Sequence, residues 1–134
     1  MRKFFIVFAL LLFAGCGSKE LTKVKIADMI INYYTPYSST NILIPRFIDV
    51  VWIKKIDEKR AKAKVCYEFQ FLIDYDKLVA YIKKYPNSNL ARFDIGLVAL
   101  LGRKFGSFKK GEIKSRCDEV EFGLRYGKWH IDKI

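Results

Sequence analysis

Histidine is almost missing from this chain: of 134 residues only one, His130, carries an imidazole. Nucleophile–base catalysis and imidazole-based metal centres therefore have little to draw on. Cysteine is scarce too, at three, and no two stand in CxxC spacing. Zinc, which takes four nitrogen or sulfur ligands at close spacing, has no candidate set, and calcium has no dense acidic loop. Phosphate loops are missing as well: Gly102, Gly106 and Gly111 punctuate turns instead of opening a helix after a strand. No metal and no other cofactor is expected. Nor does the apolar run at the start reach the roughly 20 residues that a membrane-spanning helix needs.

What is present is concentrated at that start. Met1-Arg2-Lys3 is cationic, residues 4–13 are apolar, and Ala14-Gly15-Cys16 follows. A basic start, a short apolar stretch and small residues before a cleavage point make a secretory signal peptide. Phe13-Ala14-Gly15-Cys16 resembles the lipobox of bacterial lipoproteins, with phenylalanine where leucine is commonest. The resemblance implies cleavage just before Cys16, a diacylglyceryl group on its thiol, and a fatty acid such as palmitate on the new amino terminus. It divides the chain into a signal peptide over residues 1–15, a lipidated cysteine with a short tether over 16–20, and one domain over 21–134. Gly17 and Ser18 follow the cysteine, without the aspartate that retains many such lipoproteins at the inner membrane of enteric bacteria. The expected location is the cell envelope, at the outer membrane in preference to the inner one.

The chain is basic, with 25 Lys and Arg against 14 Asp and Glu. The excess gathers around two turns: Lys54, Lys55, Lys59 and Arg60 near one, and Arg103, Lys104, Lys109 and Lys110 near the other. Such a balance attracts anionic surfaces. For an exported protein these are phospholipid headgroups, lipopolysaccharide and acidic wall polymers, and export argues against nucleic acid. The eight cations are candidate contacts; a merely solvated basic surface is the alternative.

With Cys16 assigned to lipid, Cys66 and Cys117 remain as an even pair in an oxidising compartment. They read as a disulfide or as two buried free thiols. Each is in phase with polar residues of its own strand, so a cross-strand bridge fits if the two strands are neighbours. A bulge near Asp118 would break that match.

Residues 21–34 carry Ile26, Met29, Ile30 and Tyr33 at i, i+3, i+4, i+7, a helix that Pro36 ends. Residues 47–56 are apolar and β-branched, as in a strand covered on both sides over part of its length. After the charged turn Asp57-Glu58-Lys59-Arg60, residues 61–73 alternate, with Val65, Tyr67, Phe69 and Phe71 on one face. Tyr75, Leu78, Val79, Ile82 and Tyr85 mark a second helix, with Asp74 as candidate N-cap and Pro86 as its stop. A third helix spans residues 90–101, with Gly102 as C-cap. Residues 112–126 and 129–134 form a second hairpin about Gly127-Lys128. This order predicts an α+β fold: roughly a four-stranded antiparallel sheet, made of two hairpins, packed against three helices. The tail Tyr126-Gly127-Lys128-Trp129-His130-Ile131-Asp132-Lys133-Ile134 resembles the last strand of small exported domains with the cystatin-like or nuclear-transport-factor-like α+β fold. Two helices between the hairpins depart from that family's order, and the resemblance implies nothing catalytic.

Few residues are left for chemistry. His130 alternates with Trp129 and Ile131 and should point away from the core. Asp118, Glu119 and Glu121 read as salt-bridged surface residues beside Arg116 and Arg125. Asp94, in an otherwise apolar helix, is either solvated at a helix start or buried and in need of a partner. Tyr33, Tyr34 and Tyr37 are candidates for the rim of a pocket between the first helix and the sheet, with core packing as the alternative. The expectation is a non-catalytic, membrane-anchored lipoprotein that binds or assembles with an envelope protein partner. A small-molecule-binding domain is the alternative, and an unrecognised enzyme stands third.

Overall fold

The computed structural model describes residues 20–35 and 42–134; the signal segment, Cys16 and Tyr37 lie outside the described residues. Helix α1 (Lys23–Tyr34) starts at Thr22, whose side chain accepts a hydrogen bond from the Lys25 backbone N–H at 3.2 Å. Its stripe Ile26, Ile30 and Tyr34 is buried. Strands β1 (Leu43–Asp57) and β2 (Arg60–Phe71) follow, then helices α2 (Tyr75–Lys84), α3 (Asn89–Phe93) and α4 (Ile95–Phe105), then β3 (Ile113–Arg125) and β4 (Lys128–Lys133). The four strands form one sheet in the order β1-β2-β3-β4, each pair antiparallel. Helices α2 to α4 are thus an excursion from β2 that returns to its free edge. The β2–β3 register runs unbroken from Arg60↔Gly123 to Gln70↔Ile113, so no bulge interrupts it near Asp118.

The alternation of β2 decides where the core lies. Ala61, Ala63, Val65, Tyr67, Phe69 and Phe71 are all buried on the face covered by helices. Tyr34 and Phe105 lie across Phe69, with centroids 5.0 and 5.7 Å from it, and Phe108 stacks on Phe71 at 3.8 Å. Each such ring removes enough apolar surface from water to stabilise the fold by about 1.5–3 kcal/mol.

Three expectations change. Strand β1 is covered on one face only; three register shifts bend it along the sheet edge and leave Phe47 57% and Val51 46% exposed. Such irregularity blunts an edge that would otherwise pair with another chain. The third helix is broken at Asp94, where the backbone leaves the helical region, into α3 and α4. Finally, α4 does not stop at Gly102 but runs to Phe105, and Gly106, at φ +69°, closes it. Gly102 answers a different need: a Cβ there would lie 2.3 Å from the Tyr75 phenol oxygen of α2.

Candidate functional site

The core face of β3 is apolar at one end and charged at the other. In register with β2, Phe122 and Val120 oppose Ala61 and Ala63, but Asp118 opposes Val65, Arg116 opposes Tyr67 and Lys114 opposes Phe69. Asp118 is therefore a core-facing residue, its side chain only 9% exposed. The surface placement expected from the acidic cluster holds for Glu119, which is exposed on the other face, but not for Asp118. Phase would have shown it: Asp118 shares the parity of Val120 and Phe122.

Three donors converge on this carboxylate. Lys104 Nζ of α4 lies 2.9 Å from Oδ2, Arg116 Nε lies 2.8 Å from Oδ1, and the Tyr67 hydroxyl donates to Oδ2. Tyr67 has one proton and gives it to Asp118, so the Tyr34 hydroxyl, 2.8 Å away, donates to Tyr67. Burial alone would raise the Asp118 carboxyl, but hydrogen bonds from Tyr67, Lys104 and Arg116 outweigh it and hold the group below the usual carboxylate range. The same burial, reinforced for Tyr67 by the anionic neighbour that accepts its proton, raises both phenols, so they stay protonated. Arg116 loses some solvation, yet Asp118 raises it on balance.

The cluster also docks α4. Arg116 Nη1 donates to the Lys104 carbonyl at 3.1 Å and Lys114 Nζ to the Phe105 carbonyl at 2.8 Å. Both oxygens belong to the last turn of α4, where carbonyls lack partners within the helix and cations are favoured. The cluster thus joins α1, β2, β3 and α4, and its polar atoms are turned on one another instead of on an open cleft.

The eight candidate cations do not form one patch. Lys54, Lys55, Lys59 and Arg60 are exposed at the sheet end that carries both hairpin turns. Lys109 and Lys110 lie beyond the opposite end, where Gly111 N donates to the Phe71 carbonyl. Arg103 is exposed on α4, and Lys104 is withdrawn from any anionic surface, its side chain 6% exposed against Asp118. Spacing would have flagged Lys104, which stands i+3 and i+7 from Leu101 and Leu97 on the inner stripe of α4.

The candidate rim tyrosines also separate. Tyr34 is fully buried, whereas Tyr33 is 38% exposed and lines a shallow depression with Leu97, Leu100 and Arg103 of α4. An open groove of about 750 Å³ lies instead at the other end of α1, where Leu21 meets Ile53, Lys55, Ala61, Leu124 and Trp129. His130 is exposed, in register with Gly123 on the outer face. Cys66 and Cys117 oppose each other directly on that face, with their sulfurs at disulfide distance, 2.03 Å. Asp94 is 4% exposed, and its Oδ2 has no hydrogen-bond partner among the described residues. Among those residues no group of three or more His, Cys, Asp or Glu could hold a metal ion, and no helix is long and apolar enough to cross a membrane. Comparisons with protein-family models, with curated proteins and with solved structures find no match to this chain.

Proposed function

We propose that this chain is a lipid-anchored bacterial envelope protein whose single α+β domain serves as a non-catalytic binding or assembly module. The observation that carries the proposal is the lipobox-like Phe13-Ala14-Gly15-Cys16 behind an apolar segment, with Leu21, the first buried residue among those described, five residues later. The closed cluster around Asp118 supports a structural rather than a reactive role for the buried ion pair of Asp118 and Lys104. A leading helix laid over four antiparallel strands supports the cystatin-like or nuclear-transport-factor-like reading of the tail, with α2 to α4 inserted between β2 and β3.

Mass spectrometry of the protein extracted from bacterial membranes should find Cys16 as the first residue, with added acyl mass. The Cys16→Ser variant should be recovered without it. An unmodified wild-type chain would overturn the proposal. The groove beside Trp129 favours the second reading, a small-molecule site between α1 and the sheet. A non-covalent ligand retained in the same spectra under native conditions would support it.

A further inference from the structure

We propose that the sheet end formed by the two hairpin tips is a docking face for a membrane bearing anionic phospholipid headgroups. Both tips lie together: Arg60 is in register with Gly123, and the Leu124 N–H donates to the Lys59 carbonyl at 2.8 Å. The chain enters the domain at the same end, because Glu20 and Leu21 line the groove with Lys59, Ala61 and Trp129. Glu20 stands four residues from Cys16, a span of at most about 14 Å when fully extended. A lipid on Cys16 therefore holds this end, and not the opposite one, at the bilayer.

The chemistry of the tips suits that neighbour. Arg60 and Arg125 are held by Asp57 and Asp132 at 2.8 and 2.7 Å. Lys54, Lys55, Lys59 and Lys128 are exposed and make no ion pair among the described residues. Ile56, unpaired at a register shift beside the first tip, is 47% exposed.

Tyr126 points the same way. It is 102% exposed and sits at φ +53° before Gly127 at φ +75°, in a two-residue turn. Asn, Asp or Gly fits such a position better than an aromatic residue. Among the described residues no ring contact or hydrogen bond rewards a tyrosine there, whereas an amphipathic ring is suited to the headgroup level of a bilayer.

The docking face rests on the lipid-anchor proposal but is tested without the lipid. The test protein is the chain from residue 16 with Cys16→Ser, which keeps the whole described core. It is sedimented at low salt with phosphatidylcholine vesicles containing about 30 mol% phosphatidylglycerol. Lys55→Glu with Lys59→Glu should weaken binding by about tenfold or more, because each lysine near an anionic surface contributes roughly a fivefold factor. Lys109→Glu with Lys110→Glu, at the opposite end, should change it less than about threefold. Tyr126→Asn should weaken binding several-fold while raising the melting temperature, because asparagine relieves the turn. Equal losses from the two lysine pairs would overturn the docking face, as would no binding by the unsubstituted chain or an unchanged affinity in Tyr126→Asn. If Cys16 is acylated in cells while any of these occurs, the anchor stands and the docking face fails.

Discussion

Asp118 concentrates the energetics of the interior in one side chain. Lys104 is buried against it, so removing the carboxylate strands a cation that cannot reach water. Asp118→Ala is expected to destabilise the fold by about 3 kcal/mol, the lower end of the range for breaking a buried pair, because Arg116 is partly solvated and can relax. Asp118→Asn keeps the shape and an acceptor and should lose less at neutral pH. The carboxyl is depressed in the folded state, so its contribution is fully present above the unfolded value of about 3.9 and is lost as pH falls through the lower folded value. Urea unfolding at pH 7 and pH 3 should therefore show a smaller loss of midpoint for Asp118→Asn than for the parent chain. Equal losses would mean that Asp118 titrates alike in the folded and unfolded states.

Among the elements, α4 depends most on its neighbours. Its inner stripe of Val98, Leu101 and Phe105 is buried, with Phe105 against Tyr67, Phe69 and Phe71 of β2; its last carbonyls are capped from β3, and Gly102 admits Tyr75 of α2. These contacts make the sign of one substitution unusual. Alanine in a helix interior normally gains about 1 kcal/mol over glycine. At Gly102 the new methyl would press on a ring that is itself packed against Phe108 at 5.4 Å, and overpacking costs about 1–3 kcal/mol. Gly102→Ala should lower the midpoint of thermal unfolding, whereas Gly96→Ala, near the exposed start of the same helix with open space around it, should leave it level or raise it.

At the scale of the whole molecule, Cys66 and Cys117, 51 residues apart in sequence, stand at disulfide distance. A bond there closes a loop around all three inserted helices. By loop entropy it would stabilise the fold by about 4 kcal/mol through the unfolded state. Reduction should then lower the melting temperature by about 15 °C in a chain of this size. Alkylation of the denatured, unreduced protein should label neither thiol, and labelling of both would remove the bond from the account. The cysteine pair sits on the outer face of the sheet, opposite the cluster around Asp118, so a bond there would fasten β2 and β3 on both sides.

Periods of 3.6 and 2 are local and survive without partners, so most of the elements were legible in the sequence, though not the break of the third helix at Asp94 or the run of α4 on to Phe105. Ile26, Met29 and Ile30 mark α1, the run from Ala61 to Phe71 marks β2, and Gly127 marks the last hairpin. The same patterns put Cys66 and Cys117 on the polar side of their strands, while the lipobox-like Phe13-Ala14-Gly15-Cys16 lies outside the described residues. That β2 and β3 are direct neighbours across three inserted helices came from the assembled sheet and not from any local pattern. That pairing aligns residues some 50 positions apart, and no local pattern encodes which distant edge a strand will meet. Burial of Asp118 and Lys104 followed from it, since a charged residue on an inward parity stays inside only if its counter-charge arrives from another element. The separation of the eight cations into two sheet ends, a helix face and a buried pair has the same cause. Neighbours along the chain reveal charge density, but the fold alone sets which charges share a surface.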